Sequence, residues 1–136
     1  MERLIVDTGF FVGLGRRQDE YHRPACAFFE LFEGQYVTVA PVVVEACHFL
    51  GPQARANLLD WIHADGIAVA DVPVGIYPEL AEIVRRYSSR DVDFADAALV
   101  WLANESGLNR ILTVDRADFS TFRLKNGKRF ELIEWF

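Results

Sequence analysis

Leu4-Ile5-Val6-Asp7 is the stretch that decides the fold, because three large apolar residues run directly into a carboxylate. A short, continuous apolar run of this kind is typical of a parallel strand that is buried on both faces. We therefore predict a first strand that ends at Asp7. Comparable apolar runs predict further strands at 36–39, 67–70 and 110–113, and a short edge strand at 130–133.

The segments between these strands carry helical patterns of apolar residues. Predicted helices cover 9–16, 19–32 with Asp19 as the N-cap, 41–50, 52–65, 75–87 and 93–107. Strands that alternate with helices favour a three-layer α/β/α fold with a central, mostly parallel sheet of four to five strands. Ligands of such sheets bind beyond the carboxyl ends of the strands, which is where Asp7 and Asp115 are expected.

Length and composition indicate a single domain over residues 1–136, with 51% hydrophobic and 25% charged residues. No run of 18 apolar residues is present, and the first residues do not resemble a signal peptide. Cys26 and Cys47 lie far apart in sequence, and the three histidines match no zinc spacing. We therefore expect a cytoplasmic protein that does not contact a membrane.

The charge of the chain is unevenly distributed. The formal net charge is −6, which by itself argues against nucleic-acid binding. Residues 110–129, however, hold six basic side chains and only two acidic ones. This segment could bind phosphate groups, or it could be an ordinary solvated surface.

Four carboxylates do not fit an ordinary surface role. Asp7 and Asp115 follow predicted strands, although a turn or a helix cap would explain either residue. Glu45 and Asp96 lie on helix faces that are otherwise apolar; Asp96, for example, precedes Leu99 and Val100 by one turn. An ionised carboxylate is costly to bury there unless it is paired or binds a cation.

Simpler interpretations of the helical carboxylates stay open at this point. Glu45 could be partly exposed, and Asp96 could cap its own helix. Asp93, three residues earlier, is a candidate both for the N-cap and for a role beside a metal ligand. Together, however, these acids would repel one another at one sheet edge unless one or two divalent cations lay between them. Oxygen ligands select Mg²⁺ or Mn²⁺, and such a site can promote hydrolysis of a phosphodiester.

The same residues resemble the PIN-domain ribonucleases, in particular the VapC-type toxins of bacterial toxin–antitoxin pairs. The likeness covers nearly the whole chain. It rests on an ordered set of segments: Leu4-Ile5-Val6-Asp7-Thr8-Gly9-Phe10-Phe11, Asp19-Glu20-Tyr21-His22, Val42-Val43-Val44-Glu45, Asp93-Phe94-Ala95-Asp96-Ala97-Ala98-Leu99-Val100 and Ile111-Leu112-Thr113-Val114-Asp115-Arg116-Ala117-Asp118-Phe119.

The resemblance implies an endoribonuclease that depends on Mg²⁺ or Mn²⁺ and acts as the toxin of a VapBC-type pair. It assigns catalysis and metal binding to four acids, Asp7, Glu45, Asp96 and Asp115, and adds Asp93 as a further metal ligand. Thr8 and Thr113 would orient ligands or waters.

Asp118 matches less securely, and Asp19 and His22 are expected to be structural. Arg116, with the basic 123–129 stretch, is a candidate for contacts with the RNA phosphates. A homodimer and an inhibitory antitoxin are the implied protein partners.

The sequence leaves two other functions open. A phosphatase or receiver domain also places aspartates at strand ends, but it needs a lysine after a late strand. The only lysines are Lys125 and Lys128, in a glycine-containing segment, and no DxDxT pattern follows the first strand. The second rival is a non-catalytic PIN-like module that binds RNA or a regulator through the same cleft; its binding would not depend on a metal ion.

Overall fold

Five strands form the centre of the computed structural model, which describes residues 1–136. They are β1 (Arg3–Val6), β2 (Gln35–Val39), β3 (Ile67–Ala70), β4 (Arg110–Leu112) and β5 (Glu131–Leu132). The strands lie in the order β3-β2-β1-β4-β5, and all four neighbouring pairs are parallel. The predicted α/β fold is confirmed, and the sheet is parallel throughout because even the edge strand β5 pairs parallel with β4.

Seven α-helices connect and cover these strands: α1 (Thr8–Gly15), α2 (His22–Leu31), α3 (Ala40–Phe49), α4 (Pro52–His63), α5 (Tyr77–Arg86), α6 (Phe94–Ser106) and α7 (Arg116–Phe119). The prediction that Asp19 is the N-cap of α2 is wrong by two residues, because the N-cap is Tyr21. The side chain of Asp19 accepts a hydrogen bond from the backbone N–H of Tyr21, and its carbonyl accepts one from His22, so Asp19 closes a turn before the helix. None of the helices is long and apolar enough to span a bilayer.

Helices cover both faces of the sheet. Leu4, Ile5 and Val6 are each at most 1% exposed, although successive side chains of a strand point to opposite faces. Helix α6 is itself enclosed on all sides, since Ala97, Ala98 and every residue from there to Ala103 are buried. Small alanine side chains let this helix approach its neighbours closely. The beginning of α6 is therefore held firmly against the rest of the protein.

The strand order places a crevice between β1 and β4. From β1 the chain adds β2 and β3 on one side and then returns to the other side of β1 for β4. Such a reversal is where open parallel sheets bind ligands. The pairing of Val6 with Leu112 sets the ends of β1 and β4 side by side. The absence of a side chain at Gly9 lets the start of α1 approach the segment after β4, because a Cβ atom there would lie 2.7 Å from Cγ2 of Val114.

Candidate active site

A chain of hydrogen bonds connects the ends of β1 and β4. The buried carboxylate of Asp7 accepts a hydrogen bond from the backbone N–H of Thr8 at 2.8 Å and another from the hydroxyl of Thr113 at 2.8 Å. The same hydroxyl accepts a hydrogen bond from the backbone N–H of Asp115 at 3.0 Å. Thr113 therefore fixes Asp7 relative to Asp115, although 108 positions separate the two acids in sequence.

Helix α6 contributes two further acids from its first turn. Asp93 is the N-cap, since its carboxylate accepts a hydrogen bond from the backbone N–H of Asp96 at 2.8 Å. The alternative in which Asp96 caps its own helix is therefore wrong. Asp96 instead lies half-buried among the fully buried residues of α6. Helix α3 supplies Glu45, which is also half-buried.

The charges of these acids act on one another. Burial raises the pKa of Asp7 from 3.8 to about 6; its hydrogen bonds from Thr113 and Thr8 oppose this rise, and the charges of Glu45 and Asp115 add to it. The pKa of Asp96 rises to about 8 through burial and, next, through the negative charges of four neighbouring acids: Asp7, Asp93, Asp115 and Asp118. Burial also raises the pKa of Asp115. Each of the four predicted acids therefore affects the pKa of another or has its own pKa raised by another. We call these four residues, Asp7, Glu45, Asp96 and Asp115, the acidic group.

The donor chemistry of the site fits a hard divalent cation. Carboxylate oxygens dominate, and the buried hydroxyl of Thr8 has no hydrogen-bond partner, so it is a further oxygen directly beside Asp7. No three acidic, histidine or cysteine side chains meet in the arrangement that a bound metal ion requires. Asp7, Asp93 and Asp115 each accept a hydrogen bond from a backbone N–H group, Asp115 from that of Asp118 at 3.0 Å.

The remaining predicted residues lie at the edge of the site or outside it. The guanidinium group of Arg116 lies over the ring of Phe136, 4.7 Å from its centroid, in a cation–π contact. His22 hydrogen-bonds the carbonyl of Gly13 through its Nδ1 at 2.7 Å, and Asp19 closes the turn described above. Neither of these two side chains contributes to the electrostatics of the acidic group.

Two residues near the site were not singled out from the sequence. Arg90 binds the carboxylate of Asp118 at 2.9 Å, a pairing across 28 positions that no local pattern indicates. Asp71 directly follows β3, just as Asp7 follows β1, so the same strand-end pattern would have found it. With Glu45, Asp93 and apolar side chains, Asp71 lines an open pocket of about 730 Å³ beside the acidic group.

Known proteins are similar to this chain in sequence and in fold. The sequence matches the PIN domain family over residues 4–123. It is 31% identical over 135 residues to Ribonuclease VapC26 of Mycobacterium tuberculosis, a match that covers 96% of this chain and 99% of that protein. The crystal structure of VapC20 of Mycobacterium tuberculosis, a toxin that cleaves the sarcin–ricin loop, superposes with a TM-score of 0.73 at 21% identity, over 79% of this chain and 86% of the other. Because the family match covers residues 4–123 and the similarity to VapC26 extends over 96% of the chain, the chain belongs to the PIN domain family.

Proposed function

We propose that the protein is a metal-dependent endoribonuclease that hydrolyses RNA phosphodiester bonds. The observation that carries the proposal is the chain of hydrogen bonds that joins Asp7 to Asp115 through Thr113 in the crevice between β1 and β4; the charges of both acids also act on Asp96. An acidic group of this kind destabilises the protein on its own and becomes favourable when it holds a cation. The 31% identity to a ribonuclease supports RNA as the substrate.

Each acid has a proposed part in the site. Asp7, Asp96 and Asp115 would hold one Mg²⁺ or Mn²⁺ ion, and Glu45 with Asp93 would hold a second ion or position a water near the leaving oxygen. When bound, such ions lower the pKa of water and neutralise charge that builds on the phosphate. In the hydrolysis, water would add to phosphorus, the P–O bond to the leaving sugar oxygen would break, and the proton lost by the water would pass to that oxygen. Thr8 and Thr113 orient the oxygen ligands, and Arg116 contacts a phosphate.

The relatives also suggest a biological role, namely the toxin of a VapBC-type pair that is held inactive by an antitoxin. Two of them, VapC26 and VapC20, are a ribonuclease and a toxin that cleaves the sarcin–ricin loop. Both cysteines are free thiols, which suits a reducing cytoplasm. We also assign the whole of 1–136 to one domain, because β5 extends the sheet and Trp135 packs against Phe10 with ring centroids 5.2 Å apart.

A second copy of the chain is the proposed occupant of an exposed apolar surface beside the acidic group. This surface contains Val44, which is 72% exposed, and the neighbouring rings of Tyr77 and Phe94, which are 43% and 45% exposed. Apolar side chains this exposed and this close together are typical of an interface between subunits. Sedimentation of the purified chain as a monomer at every concentration would contradict the homodimer.

The test of the proposed activity is incubation with mixed RNAs in the presence of Mn²⁺ or Mg²⁺, and again with EDTA. We expect cleavage with the metal ions and none with EDTA, because the acids need the cation to act on a phosphodiester. Sequencing the cleaved ends then identifies the target. RNA binding that is unaffected by EDTA and never leads to cleavage would instead favour the non-catalytic module.

Replacing Thr113 by valine is expected to slow cleavage about 10- to 100-fold, because Asp7 loses the hydroxyl that orients it. The protein should also lose about 1–3 kcal/mol of stability, since the buried carboxylate of Asp7 loses a donor and the part-buried N–H of Asp115 loses its acceptor. Cleavage rates and urea unfolding measure the two effects. Thr113→Ser keeps the hydroxyl and serves as the control; equal rates for the valine and serine variants would refute the positioning role.

A further inference from the structure

A second pocket, away from the acidic group, is lined by basic side chains. Arg86, Arg123 and Lys125 line an open cavity of about 600 Å³, and no carboxylate contributes to its lining. In a chain with 20 acidic and 14 basic residues, a cavity with three cations and no acid departs from the overall charge. Its volume lies within the range of roughly 300–1,000 Å³ found for small-ligand sites. We refer to it as the basic pocket.

The cations of the basic pocket are poorly neutralised by the protein itself. Arg86 and Arg123 form no ion pair, and Lys125 is 3.2 Å from Glu79 in a pair whose two side chains are exposed. Exposed pairs of this kind contribute little and break readily. Glu82, which lies behind the same cations, is bound to Arg85 instead. Neither arginine therefore has to break an ion pair to bind an external anion, although Glu79 and Glu82 line the adjacent cavity.

The backbone that carries these cations is held in place. The N–H of Arg123 donates a hydrogen bond to the hydroxyl of Tyr87 at 2.8 Å, and the ring of Tyr87 packs on the buried Phe122 with centroids 4.9 Å apart. The N–H of Lys125 donates to the side chain of Asn104 in α6 at 2.9 Å. The pocket is therefore formed before a ligand arrives, which reduces the entropy cost of binding.

Both chain segments of the basic pocket lead directly to the acidic group. The segment with Arg86 continues through Arg90 to the cap of α6 at Asp93, and the segment with Arg123 follows α7 and its cap Asp115. The ion pair of Arg90 with Asp118, at 2.9 Å, joins the two segments between pocket and acids. Both chain segments therefore connect the two sites, and a polyanion bound at the acidic group through a cation can extend towards the basic pocket.

We propose that the basic pocket binds a phosphate of the single-stranded RNA whose scissile bond lies at the acidic group; the inference deepens the proposed function and rests on it. Guanidinium groups match phosphate oxygens with paired N–H donors, and two arginines without ion pairs supply two such forks. The site makes no contact with the base in this role. It therefore adds affinity and fixes the direction of the strand without selecting its sequence.

The test measures binding separately from cleavage. In an Asp7→Asn background, which removes cleavage, fluorescence polarisation reports the affinity of a fluorescein-labelled oligouridylate in the presence of Mn²⁺. We expect Arg86→Ala/Arg123→Ala to weaken binding on the order of tenfold. The slope of log affinity against log salt should fall by about 0.7 for each phosphate that the variant no longer binds. The matched control is Arg23→Ala/Lys128→Ala, which removes two exposed cations that form no ion pair, has the same net charge and leaves the pocket lining intact.

Equal affinity and equal salt slope in the two double variants would overturn the inference. Displacement of the labelled RNA by polyglutamate, but not by unlabelled oligouridylate, would also overturn it and indicate an acidic polypeptide as the ligand. The test distinguishes failure of the basic pocket from failure of the proposed function. Loss of RNA binding in the pocket variant supports the pocket even where the wild-type protein cleaves no RNA. Cleavage by wild type with unchanged binding in the pocket variant refutes the pocket alone.

Discussion

Asp7→Asn is expected to reduce RNA cleavage by about a thousandfold or more, which corresponds to losing several kcal/mol of metal-assisted catalysis. Asp7 is 7% exposed and lies at the switch point of the sheet, where no other acid can replace it. The amide is neutral and a weak ligand of divalent cations. It nevertheless has the same shape and keeps an oxygen that can accept the hydrogen bond from Thr8. The variant should therefore fold, and its loss of activity should be chemical.

Cleavage rates and thermal melting of the same preparations check this result. Asp60→Asn is the matched control, because it removes one negative charge from an exposed position of α4, outside the acidic group. We expect it to cleave like the wild type. Cleavage by Asp7→Asn at the rate of Asp60→Asn would remove the basis for the proposed function. A melting temperature far below that of the wild type would instead show that Asp7 is needed for folding.

In EDTA, the stability of the protein is expected to fall as the pH rises. The pKa of Asp7 is about 6 in the folded protein against 3.8 ordinarily, and that of Asp96 is about 8, so the folded state keeps protons that the unfolded chain has released. Stability is therefore full below 3.8, declines as the pH rises through these values, and levels off above about 8. For Asp7, the shift corresponds to about 3 kcal/mol at high pH.

Adding Mn²⁺ should restore the stability lost at high pH, because the cation takes the place of the protons. Melting curves across this pH range, with EDTA and with Mn²⁺, measure the effect. Asp7→Asn isolates the contribution of one acid: in EDTA it should exceed the wild type in stability at high pH and match it at low pH. The same pH profile for wild type and variant, or no rise in melting temperature with Mn²⁺, would show that the acids do not share a cation.

The strand ends explain why so much of this protein could be predicted from its sequence. Leu4-Ile5-Val6-Asp7 contains both the signal for a doubly buried strand and the carboxylate that follows it, and the run at Ile111 and Leu112 repeats that signal. A parallel sheet brings the ends of such strands to one edge. Asp96 could be predicted as a candidate site residue because a carboxylate on an apolar helix face requires a compensating group.

Other features depend on contacts that sequence does not encode locally. The pairing of Arg90 with Asp118 and the hydroxyl of Thr113 between two acids arise only when distant segments meet. The start of α2 was misplaced because an aspartate can close a turn as readily as it can cap a helix. Asp71 was overlooked although it follows a strand, since one exposed acid after a short apolar run is common.

The enclosure of α6 widens the range of mutations that can inactivate the protein. Ala97 and Ala98 are fully buried, one and two positions after Asp96, so a larger side chain at either would tilt the helix and misalign its two carboxylates. Natural variants that silence the protein should therefore arise at alanines that never meet RNA as well as at the acids. Where selection favours loss of the activity, more substitutions can inactivate the protein by disturbing the packing of α6 than by removing a carboxylate.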